Sequence, residues 1–168
     1  QLYDMARDDD ERPFCCVVSF TDPHDPYACP QEHWDRYDHD SIDLPRVEHI
    51  PDNELDPHSR RLRHAYEADK VTVTDDDIKN ARRAYYGQIS YIDDKIGALL
   101  KALDDTGFRE NTIILLTADH GDMLGERGLW YKMSMFEWSA RVPFIVYAPQ
   151  AYQAQRVSTP VSLVDVLP

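Results

Sequence analysis

Thr112-Ile-Ile-Leu-Leu-Thr-Ala-Asp-His-Gly-Asp122 is the stretch on which the reading of this chain turns. Its first six residues, Thr112 to Thr117, are a short apolar run too brief for a helix, and they are expected to form a strand buried on both faces. The run delivers Asp119 and His120 at its carboxyl end, where open α/β sheets bind their ligands. A carboxylate beside an imidazole in that place suits a divalent cation. The plainer reading of a bare Asp-His pair is a turn cap and a sheet-edge histidine. Against it stand Gly121, Asp122, Gly125, Gly128 and Lys132, which follow in a segment too rich in turn formers to be scaffold alone.

Upstream, Ile78, Ala81, Tyr85, Ile89, Ile92, Ile96, Leu99 and Leu103 recur every three or four residues, so Asp75 to Asp105 is expected to be one amphipathic helix. Thr74 and Asp77 have the spacing of a capping box, Asp75 to Asp77 suit the helix dipole, and Gly107 supplies the stop. Downstream, Pro143 to Ala148 reads as another strand, and Phe14 to Phe20 as a first, fully buried one. Strand, helix and strand in this order predict an α/β fold with a parallel sheet. Thr21 to Pro30 holds three prolines and reads as a loop. Gln31 to Tyr37 reads as one or two helical turns, residues 38–57 as an irregular excursion, and His58 to Asp69 as a weak helix.

Two further side chains are candidates for chemistry. Lys132 lies among aromatics in Leu-Trp-Tyr-Lys-Met, which can support its stem while the ammonium faces an anionic oxygen; the alternative is a surface lysine. His24 sits in Asp22-Pro-His-Asp-Pro26, where two prolines restrict the loop, so the imidazole can be presented to a substrate as donor or general acid; the alternative is a loop histidine bonded to Asp22 or Asp25. His33, His39, His49, His58 and His64 lack metal-ligand spacing and are assigned to the surface. Cys15 and Cys16 read as core packing within the first strand, and Cys29 has no base or cation near it in sequence. No nucleophile elbow, P-loop, dinucleotide fingerprint or zinc pattern is present.

The composition narrows the classes. A net charge of −13 over 168 residues argues against a nucleic-acid backbone or an anionic membrane as main partner. The mean hydropathy is −0.59, and no apolar run approaches the ~20 residues of a membrane helix. Three cysteines make no disulfide framework and fit a reducing compartment. Residues 1–13 form a polar leader without the pattern of a signal peptide, and the apolar Val161 to Pro168 looks cut off at the start of an element, so the chain is expected to be an internal fragment.

Thr117-Ala-Asp-His-Gly-Asp-Met-Leu-Gly-Glu-Arg-Gly-Leu-Trp-Tyr-Lys-Met133 resembles the metal and sulfate segment of type I sulfatases, within the alkaline-phosphatase superfamily. Val18-Ser-Phe-Thr-Asp-Pro-His-Asp-Pro-Tyr27 resembles the upstream histidine loop of the same family. The resemblance runs from about Phe14 to the end. It implies part of a three-layer α/β/α sandwich with a mostly parallel sheet, truncated at both ends, with residues 1–168 the central to C-terminal part of the catalytic domain.

The same resemblance assigns roles. Asp119 and His120 match metal ligands, with His120 also near the sulfate. Lys132 matches the lysine on a sulfate oxygen, and His24 the histidine on the ester oxygen. The implied cofactors are one divalent ion, Ca2+ with Mg2+ or Mn2+ as alternatives, and a formylglycine made from Cys or Ser in a Cys/Ser-x-Pro/Ala-x-Arg motif. These 168 residues lack that motif, so the nucleophile is expected upstream and the chain alone is expected to be inactive. The implied reaction is displacement at sulfur in a small sulfate ester such as choline sulfate. The competing readings are a phosphonate monoester or phosphodiester hydrolase of the same superfamily, and a degenerate, non-catalytic fragment. A cytoplasmic location is expected, with the periplasm as alternative, and the parent is expected to be a possible homo-oligomer that binds neither nucleic acid nor membrane.

Overall fold

The computed structural model describes residues 1–8 and 12–166. Asp9, Asp10 and Glu11 of the acidic leader lie outside them, as do Leu167 and Pro168. In chain order the elements are helices α1 (Leu2–Met5), α2 (Gln31–Trp34), α3 (Pro57–Ala65) and α4 (Asp75–Asp105), strand β1 (Ile114–Thr117), helix α5 (Glu137–Ala140) and strand β2 (Phe144–Tyr147). No helix among the described residues is long and apolar enough to cross a membrane.

Helix α4 has the predicted bounds and the predicted ends. The Asp77 backbone N–H donates to Thr74 Oγ1 at 3.2 Å, and the Thr74 N–H donates to Asp77 Oδ2 at 2.9 Å. At the other end Gly107 takes φ 74°, and the Phe108 N–H reaches back to the Leu103 carbonyl at 3.0 Å, closing the last turn. Its burial follows the apolar stripe only in part, since of that stripe Leu103 is buried and most of the rest half-buried. Ile89 is 43% exposed, whereas Arg82, Ala84, Gly87, Gln88 and Leu103 are buried. The loops that cover this helix are rich in proline and turns, and their carbonyls need donors that the loops themselves do not supply. Arg82 and Gln88 supply them.

The Phe14 to Phe20 expectation is corrected. These residues form no strand, and Val17 is 88% exposed. Cys15 and Cys16 are likewise exposed, not core. An apolar run becomes a strand only when a neighbour pairs with its backbone, and no described segment does so here. The other two predicted strands form the described sheet. They pair antiparallel, with Ile114 opposite Tyr147 and Thr117 opposite Phe144. Neither is buried on both faces: Leu115, Ile145 and Val146 are exposed. Antiparallel pairing places the carboxyl end of β1 beside the start of β2, so residues 118–143 return upon the strand they leave.

A buried charge network fixes that return. The Arg82 guanidinium donates to Glu126 Oε1 (2.9 Å), Asp43 Oδ2 (2.7 Å) and the Leu124 carbonyl (3.0 Å). Glu126 accepts in turn from the backbone N–H groups of Arg46 and Val47, each at 3.0 Å. Arg63, on α3, donates to the Ile50 carbonyl (2.8 Å), Asp52 (2.6 Å) and the Arg127 carbonyl (3.1 Å). The 38–57 excursion is thus irregular but pinned at both ends, with Ile42 and Leu55 buried beneath it. His33 is a second correction. It is 3% exposed, and its ring meets Asp94 on α4 at 3.0 Å, where Arg36 also bonds the same carboxylate at 2.6 Å.

Two outcomes follow. Arg82→Met leaves Glu126 buried without its cation and is expected to cost about 3–5 kcal/mol in urea unfolding, whereas Arg141→Met, at an exposed pair with Glu137, is expected to change little. Asp94 is held at about 2, below the ordinary carboxylate value of 3.8, by hydrogen bonds from Arg36 and then His33. A depressed carboxylate contributes stability that is complete above its unfolded value and lost as pH falls through the folded one. Unfolding midpoints should therefore drop between pH 4 and 2, and Asp94→Asn should flatten that part of the profile; an unchanged profile in the variant counts against the assignment.

Candidate active site

The segment after β1 is built for tight turns. Gly121 donates its N–H to the Ser139 carbonyl at 2.8 Å, and a Cβ on it would stand 2.1 Å from the Trp138 carbonyl oxygen. Only glycine lets α5 come this close. Beyond it, Leu124, Arg127, Tyr131 and Met133 all take positive φ, as do Gly125 and Gly128. Each non-glycine residue in that region costs on the order of 1–2 kcal/mol, and such strain collects where a side chain must be aimed. Burial of Met123 and Leu129, both 0% exposed, and the Arg82 and Arg63 bonds hold the segment in this form.

What it aims is Lys132. Its ammonium donates to His24 Nε2, across 108 residues of sequence, and lies 3.5 Å from Asp25 Oδ1. His24 Nδ1 donates to the Asp25 carbonyl at 2.8 Å, which fixes the proton on that nitrogen and leaves Nε2 as the acceptor. The peptide bonds before Pro23 and Pro26 are both cis. The rings of His24 and His120 lie 6.0 Å apart. His120 Nδ1 donates to the Gly121 carbonyl at 2.8 Å, so its Nε2 lone pair is free, 3.7 Å from Asp119 Oδ2. The four residues singled out in the sequence, His24, Asp119, His120 and Lys132, therefore gather in one place.

As metal ligands, Asp119 and His120 fit in kind and fall short in number. A carboxylate oxygen and an imidazole lone pair face each other, and the Asp119 side chain is 89% exposed toward whatever lies beyond it. Its other oxygen accepts the His120 N–H at 3.0 Å, so the capping reading of this residue is met as well. A calcium ion takes about six to eight oxygens. Among the described residues no group of three His, Cys, Asp or Glu could hold a metal, so these two would be part of a ligand set.

Several supporting residues escaped the sequence reading. The Tyr27 hydroxyl donates to both Asp122 oxygens, at 3.0 and 3.2 Å, and its ring stacks on Tyr131 and packs against Trp130 and Tyr85. Asp122 also accepts the Leu124 N–H at 2.9 Å. Burial drives the Asp122 carboxyl above its usual range and the Tyr27 hydroxyl well above its own. The pair ties the histidine loop to the lysine loop beneath the point where their side chains meet. Aromatics at 27, 130 and 131 were visible in the sequence, but nothing local showed that they meet. Burial raises the Cys29 thiol, though Arg83 opposes the effect. His58, assigned to the surface, is exposed and still braces the site by bonding the Met133 carbonyl at 2.9 Å.

Comparison with known proteins gives the family. The sulfatase family model matches residues 1–168, and the chain belongs to that family. The choline-sulfatase of Rhizobium meliloti (strain 1021) is 44% identical over 171 residues, covering 100% of this chain and 33% of that protein. Among solved structures, a phosphonate monoester hydrolase from Silicibacter pomeroyi superposes with a TM-score of 0.65 at 29% identity, over 76% of this chain and 27% of that one. A second phosphonate monoester hydrolase, from Agrobacterium radiobacter, gives 0.69 at 22% identity over 88% and 31%, a likeness of fold alone. The chain thus spans about a third of the length of the curated relative. These likenesses place it in the alkaline-phosphatase-like α/β fold, as expected, and make it a sulfatase by family.

The glycine contact yields a paired test. Gly121→Ala must displace the α5 backbone and is expected to lose about 2–3 kcal/mol. Gly97→Ala, on α4 with nothing within 4 Å of the added carbon, is expected to gain about 0.5–1 kcal/mol. Equal urea midpoints for the two variants would show that the close approach is not there.

Proposed function

We propose that this chain is part of the catalytic domain of a sulfuric ester hydrolase acting on a small sulfate ester, choline sulfate first among them. The observation that carries the reading is the hydrogen bond from Lys132 to His24, made beside Asp119 and His120 by two segments far apart in sequence. Nothing in a solvated surface loop requires an ammonium and an imidazole from segments so far apart to converge. An anionic group with several oxygens does.

The roles follow from the donors and acceptors. Lys132 carries three N–H groups. One goes to His24 Nε2 and one lies toward Asp25, which leaves one for a sulfate oxygen. His24, with Nδ1 held by Asp25, is left with Nε2 as its reacting atom. Protonated at Nε2 from solvent, His24 would turn that N–H from Lys132 to the departing ester oxygen and give up its proton there as a general acid, returning to the neutral ring. Asp119 and His120 would hold a divalent ion, calcium in preference to magnesium or manganese, which would supply positive charge opposite the sulfate. Asp122 and Tyr27 keep the two loops in register below. The attacking group, a formylglycine in our reading, has no matching motif among these 168 residues, and we expect the isolated chain to release no sulfate.

A second reading, hydrolysis of phosphonate monoesters, is favoured by the likeness to the Silicibacter pomeroyi enzyme. Steady-state assays of the complete protein on choline sulfate and on a phenyl phosphonate monoester separate the two. We expect the sulfate ester to have at least a tenfold higher kcat/KM, and Lys132→Ala and His24→Ala each to lower it by roughly 100- to 1,000-fold. A faster phosphonate would overturn the substrate class. An intact complete protein inactive on both would support the non-catalytic reading.

A further inference from the structure

We infer that Gln88 is a positioning residue for His24: it clamps the backbone of the histidine loop to α4 and so sets where the imidazole meets Lys132. The inference rests on the proposed role of His24 and adds a residue that touches none of the reacting groups.

Gln88 is 2% exposed in the middle of α4. Its side-chain NH₂ donates to the His24 carbonyl at 2.8 Å and lies 3.4 Å from both the Pro26 carbonyl and Asp22 Oδ1. The amide orientation is forced, because three acceptors surround that one atom while its Oε1 is buried without a partner. A helix residue that leaves one of its own polar atoms unsatisfied in order to point its donors at a loop is not there for the helix. The loop has the matching need: Pro23 and Pro26 carry no N–H, so the turn cannot close its own carbonyls. The neighbouring position on α4 serves the same approach. A Cβ at Gly87 would stand 2.4 Å from Cys29 Sγ, so the absence of a side chain there lets the following strand of loop lie against the helix. From Gln88 the constraint passes to the His24 backbone and, through the ring held by Asp25, to Nε2 and Lys132.

Gln88→Met keeps the length and volume and removes the donor; it leaves the His24 carbonyl unmet but also removes the unsatisfied oxygen, so the fold is expected to persist with a lower urea midpoint. In the complete enzyme on choline sulfate, we expect kcat to fall on the order of 10- to 100-fold, the scale of a misplaced catalytic group, with KM within about twofold. The same substitution made on top of His24→Ala should cause no further loss, since Gln88 acts only through His24. Gln88→Glu, which turns a carboxylate toward three acceptors, should fall at least as far as Gln88→Met. A Gln88→Met enzyme with wild-type kcat, or an undiminished loss in the His24→Ala background, overturns the positioning role. If His24→Ala itself retains full activity, it is the role of His24 that fails. Urea midpoints of each variant separate an unfolded protein from a displaced histidine, and the histidine imidazole NMR signals report the displacement without turnover: an unmoved His24 signal in Gln88→Met also overturns the inference.

Discussion

The burial of the Arg82 guanidinium is the constraint on which the rest of the structure depends. Taking a cation and Glu126 out of water costs several kcal/mol per ion unless every donor and acceptor is met, and here the partners come from three segments. Arg82 belongs to α4, Asp43 to the excursion and Glu126 to the strained loop, while Glu126 also takes the N–H groups of Arg46 and Val47. Arg82 and Glu126 cannot part without leaving a buried charge uncompensated, and the excursion cannot leave without stripping Glu126 of two N–H donors. This is how a loop with four non-glycine residues at positive φ stays in one shape.

Helix α4 then acts as a bracket. Arg82 grips the lysine loop, and Gln88, six residues and about 9 Å further along the axis, grips the histidine loop. The loops meet twice beyond the helix. Tyr27 and Asp122 join them at the buried level, and His24 and Lys132 join them above it. A rigid rod with two polar grips is a way to fix the separation of two side chains, His24 and Lys132, whose own loops contain no regular structure.

This explains which parts were legible in the sequence. Helix α4 was, because its periodicity and both caps are local signals. The four candidate residues could be singled out because Asp119, His120 and Lys132 share one short segment and His24 sits between prolines, and the structure brings them together. The buried face of α4 was not: a period-based reading follows apolar residues, and this helix buries Arg82, Gly87 and Gln88 while exposing Ile89. Burial of His33 was hidden for the same reason, since its partner Asp94 lies 61 residues away. The first strand failed in the opposite sense. Its apolar text is real, but a strand is a relation between two backbones, and the described residues supply only one.

The charge balance also reads differently at the scale of the site. A chain with a net charge of −13 would repel a sulfate at long range, yet screening confines that repulsion to roughly 8–10 Å at physiological ionic strength. Within that distance the count is what matters. Asp25 lies 3.5 Å from the Lys132 ammonium, so it neither cancels the cation nor takes all its donors; it holds His24 Nδ1 and keeps one N–H of the lysine engaged. A guanidinium in place of the ammonium would spread its donors in a plane, whereas the His24 ring nitrogen and the Asp25 carboxylate converge on a single atom. Lysine at position 132 is therefore fixed by the number and directions of its partners rather than by its charge, and the acidic neighbour is part of how the site presents a cation.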